Sequence, residues 1–126
     1  MATCFCGNTL DFKDCCLPII EGKSRAISAE QLMRSRYSAY CTHAADYLIE
    51  TTHKSTRKLH KKADILSWSK SNKWQKLEII TSTETIVEFR AFYSNGLLGQ
   101  DIHHEKSTFV FEDGSWFYVD GIFYKV

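Results

Sequence analysis

Between Ser28 and Cys41 the apolar positions recur with the period of a helix. On a wheel of about 100° per residue, Ala29, Leu32, Met33, Arg36, Tyr37 and Tyr40 share one face. Ser28, with Gln31 three positions on, is a capping-box start that marks where this helix begins. Arg34, Ser35 and Ser38 lie off the stripe. A second helix is predicted from His43 to about Thr51, with Ala44, Tyr47 and Leu48 inward and Thr42 as its cap. His53-Lys54-Ser55-Thr56 breaks the pattern. A third helix is predicted over Arg57–Ser69, with Leu59, Ala63 and Leu66 on one side and Ile65 and Trp68 on another.

After residue 73 the period falls to two. Trp74–Thr81, Thr85–Ser94, Ile102–Glu112 and Trp116–Asp120 each read as a strand, the second most strongly, with Val87, Phe89, Ala91 and Tyr93 alternating against Ile86, Glu88, Arg90 and Phe92. Asn95-Gly96 and Asp113-Gly114 carry hairpin-turn chemistry. Short connections between consecutive strands predict an antiparallel meander. Helices first and strands afterwards make the class α+β.

Two charged residues sit where this pattern expects apolar ones. Arg36 lies within the first helix's core-facing stripe. On the third strand Glu105 shares a side with Ser107, Phe109 and Phe111, while His104, Lys106, Thr108 and Val110 point the other way. A lone buried charge is too costly to persist. Arg36 and Glu105 are therefore expected to pair and to fix the helix on the sheet.

Composition leaves this picture intact and narrows it. A chain of 126 residues, 44% hydrophobic, is one domain's worth and buries a core without disulfide support. No apolar run approaches the roughly 20 residues of a membrane-crossing helix. The start Met-Ala-Thr-Cys lacks the basic and apolar segments of a signal peptide. Both features point to the cytoplasm, where thiols stay reduced. Net charge is only +1, yet Lys54, Arg57, Lys58, Lys61, Lys62, Lys70, Lys73 and Lys76 face only Asp64 between residues 54 and 76. Such a block either meets phosphates, as on a nucleic acid, or is a solvated helix face.

The sharpest chemistry lies at the start. Four of the five cysteines, Cys4, Cys6, Cys15 and Cys16, fall in the pattern Cys-x-Cys-x8-Cys-Cys. Clustered cysteines on a tight loop supply the four tetrahedral ligands that zinc takes, and Gly7-Asn8 lets the backbone turn around an ion. The alternatives are disulfides and unconnected thiols. A reducing compartment disfavours the first, and a bridge between adjacent Cys15 and Cys16 would be strained.

These residues resemble the SEC-C zinc motif, which is also found at the C-terminus of the SecA translocation motor. Cys4, Cys6, Cys15 and Cys16 fall on its four ligand positions, and Phe12 falls where the motif usually has Tyr. Gly7-Asn8-Thr9 replaces the usual Gly-Ser-Gly, which loses one glycine and no ligand. Further on, Leu32-Met33-Arg34-Ser35-Arg36-Tyr37-Ser38-Ala39-Tyr40 and Ala45-Asp46-Tyr47-Leu48 resemble the YchJ-like family. So do His104, Glu105, Ser107 and Phe109, and Trp116, Tyr118, Asp120 and Gly121. That family joins a SEC-C knuckle to a nuclear transport factor 2-like (NTF2-like) domain. The resemblance implies a knuckle over residues 1–25 holding one structural Zn2+ and, over 26–126, a curved sheet wrapped around helices as a cone. In many relatives a second knuckle follows; here no cysteine follows Cys41.

Two functional readings follow. In the first, the protein is a non-enzymatic adaptor whose knuckle and basic surface contact a protein or ribonucleoprotein partner; the resemblance implies only that SEC-C knuckles elsewhere make protein contacts. In the second, the cone holds a small-molecule ligand or an acid–base site built from Arg36, Glu105, Tyr37, Tyr40 and His103 or His104, with a buried carboxylate of raised pKa as base. A filled cone with Glu105 bonded to Arg36 favours the first. An open cavity reaching Glu105 favours the second. No Gly-rich phosphate loop, serine nucleophile elbow or paired metal-binding His motif is present.

Overall fold

The computed structural model describes residues 3–95 and 99–124. After a short 3-10 turn at Phe12–Asp14 come the helices α1 (Leu17–Ile20), α2 (Ala29–Thr42), α3 (Ala45–Glu50), α4 (Lys54–Arg57) and α5 (Lys62–Ser71). The strands β1 (Lys73–Ser82), β2 (Ile86–Asn95), β3 (Gly99–Glu112) and β4 (Ser115–Tyr124) follow. The four strands form one antiparallel sheet in the order β1-β2-β3-β4.

Helix α2 is the centre of the fold, and its ends are set locally. The Ser28 hydroxyl accepts the Gln31 N–H at 3.0 Å, and the Gln31 side chain in turn accepts the Ile27 N–H at 2.7 Å. At the other end His43 adopts the left-handed conformation (φ 63°). The Ala44 N–H then reaches the Ala39 carbonyl at 2.8 Å, and the His43 N–H reaches that of Tyr40 at 3.4 Å. His43 therefore closes α2, and α3 starts only at Ala45, with Ala44 as its cap instead of Thr42.

The apolar stripe of α2 lies on the sheet, touching β1, β2 and β4. Ser35 and Ser38, which the wheel left off that stripe, are fully buried too. A second layer covers them. The Tyr47 hydroxyl of α3 meets Ser35 Oγ at 2.6 Å, and the Cys4 sulfur approaches Ser38 Oγ at 3.6 Å. Serines are small enough to let α3 and the knuckle come close while satisfying their polar atoms.

The region predicted as one helix over Arg57–Ser69 is divided. A break is expected at residues 53–56, but Lys54–Arg57 form the turn α4, capped by His53, and residues 58–61 form the break instead. Leu59 falls in that break and is 73% exposed, so it anchors nothing. In α5 the buried residue is Ser69, with Ile65 packed against the core, while Ala63 faces solvent. The Ser69 hydroxyl donates to the Tyr40 carbonyl at 2.6 Å and also meets His43 Nδ1 at 2.7 Å, which ties α5 to the end of α2.

The strands hold the expected alternation, with Val87, Phe89, Ala91 and Tyr93 buried on β2 and Glu105, Ser107 and Phe109 on β3. Phe111 continues the same side but is 58% exposed. Register shifts in β1, at Trp74/Lys76 and Ile79/Thr81, and between β3 and β4 beside Phe109 mark bulges, which bend and twist a sheet. Asp113 and Gly114, both at positive φ, make the β3–β4 turn. The Asn95-Gly96 turn continues into residues 96–98, which lie outside the described residues.

Candidate ligand cavity and metal site

The knuckle is a loop closed on the start of a helix. Gly7 sits at φ 90°, where its N–H reaches the Cys4 carbonyl at 3.1 Å, and the Cys4 N–H reaches that of Leu10 at 2.7 Å. The 3-10 turn returns Cys15 and Cys16 beneath this loop. All four sulfurs lie within 4.8 Å of one another, with Cys6–Cys15 at 3.8 Å and Cys15–Cys16 at 3.9 Å. A disulfide would need about 2.05 Å. Four thiolates about 2.3 Å from a shared ion lie about 3.8 Å apart, so the set fits one tetrahedral metal ion with no open position. Among themselves the thiols resist full ionisation. A hydrogen bond from Cys16, opposed by burial, holds Cys6 down at about 5. Burial and then the charge of Cys6 push Cys15 up to about 12. A bound metal cation would let all four ionise together.

The knuckle is fastened to α2. Arg34, placed off the apolar stripe by its sequence position, donates from Nη1 to the Cys6 carbonyl at 2.7 Å and from Nε to Glu30 at 3.0 Å. Cys4, Cys6, Cys16 and Ile19 belong to the same buried cluster as Leu32, Met33 and Phe109. One continuous core runs from knuckle to sheet.

A second site lies between α2, α5 and the sheet, where a cavity of about 140 Å³ is lined chiefly by aromatic side chains. Trp74 forms its centre, with Tyr40 at 5.5 Å, Trp68 at 5.8 Å and Tyr37 at 6.2 Å between ring centroids. Two charged groups reach into it. Glu105, 5% exposed, accepts from His103 at 2.8 Å on one oxygen and from Ser107 at 2.6 Å and Tyr118 at 2.8 Å on the other. Burial alone would raise its pKa, but the hydrogen bonds from His103, Ser107 and Tyr118 together hold it below the usual glutamate value. Arg36, 6% exposed, donates from Nη1 to the Leu48 carbonyl at 3.0 Å and to Thr51 Oγ1 at 2.7 Å.

A comparison with known families settles the lineage. The model for the YchJ middle NTF2-like domain matches residues 28–121, three-quarters of the chain. The chain belongs to the YchJ family. A UPF0225 protein of Photorhabdus laumondii is 39% identical over 126 residues, spanning 94% of this chain and 79% of that protein. One from Geobacter sulfurreducens is 37% identical over 125 residues, spanning 94% and 77%. Two solved SEC-C motif proteins share the fold. The solution structure from Rhodopseudomonas palustris has a TM-score of 0.89 at 31% identity, covering 98% of this chain and all of that one. The crystal structure from Psychrobacter arcticus has a TM-score of 0.80 at 26% identity, covering 100% and 85%.

Within this YchJ-family fold the expected charge pair is rearranged. Arg36 and Glu105 enter the same cavity, but no ion pair joins them among the described residues. Tyr118 stands between: its ring lies 4.5 Å beneath the Arg36 guanidinium and its hydroxyl holds Glu105. Glu105 is also the reverse of the expected base, since three donors stabilise its ionised form. Tyr37 and Tyr40 line the cavity as expected. His104 does not. Alternation along β3 carries it to the other face, where it meets Glu88 at 2.8 Å, and His103 is the histidine beside Glu105. The sequence reading missed Thr52 and His60, which also line the cavity from the loops flanking α4; neither carries a periodic signal. The basic block is distributed over α4, the following loop, α5 and β1, with Lys62 paired to Asp46 at 2.8 Å. No helix among the described residues is long and apolar enough to cross a membrane.

Proposed function

We propose that this chain is a small-ligand-binding protein whose cone holds the ligand and whose knuckle holds one zinc ion as a structural clamp. The observation that carries the reading is the aromatic cavity reaching both Glu105 and Arg36 while leaving them unjoined. A non-enzymatic adaptor working through the knuckle and basic surface needs no such space, and a cone sealed by a direct Arg36–Glu105 bond would have favoured it. At about 140 Å³ the cavity is close to the engineered cavity of about 150 Å³ that takes benzene, so its ligand is a single ring in size. Binding without turnover fits a Glu105 that holds three hydrogen bonds and keeps its charge. Zinc fits four thiolates that leave no open position for catalysis, and a site of reduced thiols fits the cytoplasm.

The test is an amide NMR titration of the zinc-loaded protein with a set of one-ring compounds. Shifts gathered at Ala91, His103 and Ser107 support the reading. A set that leaves those amides unmoved at millimolar concentration refutes it. Native mass spectrometry should show one zinc per chain, lost in Cys15→Ser. Full zinc retention by that variant would overturn the ligand set.

A further inference from the structure

Resting on that reading, we infer that the cavity is built for an aromatic monocarboxylate, its carboxylate received by the Nε–Nη2 edge of Arg36. The argument starts from what the guanidinium lacks. Nη1 is engaged at the end of α3 by the Leu48 carbonyl and Thr51, with Thr52 Oγ1 at 3.5 Å. Nε and Nη2 meet no acceptor among the described residues, yet no buried side-chain nitrogen or oxygen is left unpaired. These two nitrogens therefore reach open space, and the space that Arg36 lines is the cavity. Nε and Nη2 form the flat two-donor edge that matches a carboxylate's two oxygens.

The protein supplies no anion to that edge. Glu105 is the carboxylate in the cavity, and its oxygens are already taken by His103, Ser107 and Tyr118. A guanidinium on a side chain buried as a whole, with no carboxylate partner among the described residues, stands among aromatic walls. An anionic ligand completes it. A cationic ligand would meet Arg36 with repulsion and find Glu105 already holding three hydrogen bonds. A neutral ring would fill the walls and displace water from the donor edge without replacing its hydrogen bonds, which costs affinity. Inorganic phosphate would match the edge but not the aromatic lining of Tyr40, Trp68, Trp74 and Phe89, and its second charge would be repelled by Glu105. A planar ring bearing one carboxylate satisfies both halves of the cavity at this volume.

Benzoate, benzyl alcohol, benzamidine and inorganic phosphate, titrated separately against the wild-type holo protein, discriminate these cases. The readouts are the Ala91 and Ser107 amides and the side-chain Nε–H resonance of Arg36. The expected result is benzoate binding at least about tenfold more tightly than benzyl alcohol, with the Arg36 Nε–H moved by benzoate alone. In Arg36→Gln that preference should fall to about twofold or less. The wild-type comparison stands even if that variant fails to fold. Benzyl alcohol or benzamidine binding as well as benzoate would overturn the inference and leave the ligand-binding reading standing. Phosphate alone moving Arg36 would overturn it as well. No shift with any of the four would overturn both.

Discussion

Gly121→Ala is the smallest change that should disturb this protein most. Gly121 lies opposite Ser107 on β4 and does not have positive φ, so its backbone does not require glycine. Its need is for space. A β-carbon there would fall 2.7 Å from Cδ and 2.8 Å from Cγ of Glu105 and would overlap Oε2 outright. A flexible side chain would swing aside, but this one is held by three donors. Moving Oε2 breaks its bonds to Ser107 and Tyr118. Hydrogen bonds to a charged group are worth about 1.5–3 kcal/mol each, so about 3–6 kcal/mol is at stake. Replacing a glycine within a strand returns about 0.5–1 kcal/mol. The net expected loss is about 2–5 kcal/mol, a large part of a domain's usual stability of about 5–15 kcal/mol. Urea unfolding followed by tryptophan fluorescence should show a lowered midpoint with an unchanged slope. The decisive control is Glu105→Ala, which removes the three atoms nearest to the added β-carbon. There, adding Gly121→Ala should cost nothing and return about 0.5–1 kcal/mol. An equal loss in both backgrounds, or a loss below about 1 kcal/mol in the wild type, would refute the steric argument.

Three further outcomes follow from other contacts. Arg34→Met removes the clamp on the Cys6 carbonyl and should weaken metal affinity about tenfold in a chelator competition; unchanged affinity would deny Arg34 that role. His43→Gly and His43→Ala both lose the bond to Ser69, but only alanine keeps the left-handed strain, so the glycine variant should be the more stable by about 1 kcal/mol in urea unfolding. Glu105 has a folded-state pKa below its unfolded one, so its stabilisation is present at neutral pH and lost as pH falls through the folded value. Stability measured against pH in the acid range should therefore fall less steeply in Glu105→Gln than in the wild type.

Elements with a strong, uniform period were legible without coordinates. The α2 stripe and the alternation of β2 each place an apolar face in the core, and the Ser28 cap is set within one turn, so local pattern and tertiary role agree there. The region from residue 43 to 69 was less legible for the same reason. Its helices are one to three turns long, and their ends are set by distant partners. His43 pairs with Ser69 across the fold, and the segment after α3 docks on β4 through hydrogen bonds between His53 N–H and the Tyr118 carbonyl and between Tyr118 N–H and that of Thr51. Nothing in residues 57–69 taken alone indicates that Leu59 is left in solvent while Ser69 is buried.

The cavity shows the same division. Sequence by itself determined the four-thiol spacing, the α+β order and the presence of two ionisable groups, Arg36 and Glu105, on core-facing positions, because spacing and periodicity are properties of the chain. It could not determine which groups those charges meet. Only the tertiary structure placed Tyr118 between them and fitted Gly121 against the Glu105 carboxylate, whereas alternation along β3 had already put His104 on the other face from Glu105. Those choices depend on the register of β3 against β4, which a bulge beside Phe109 shifts by one residue, and on the docking of α2 above them. Register and docking arise from many long-range contacts at once, so no local stretch of sequence encodes them.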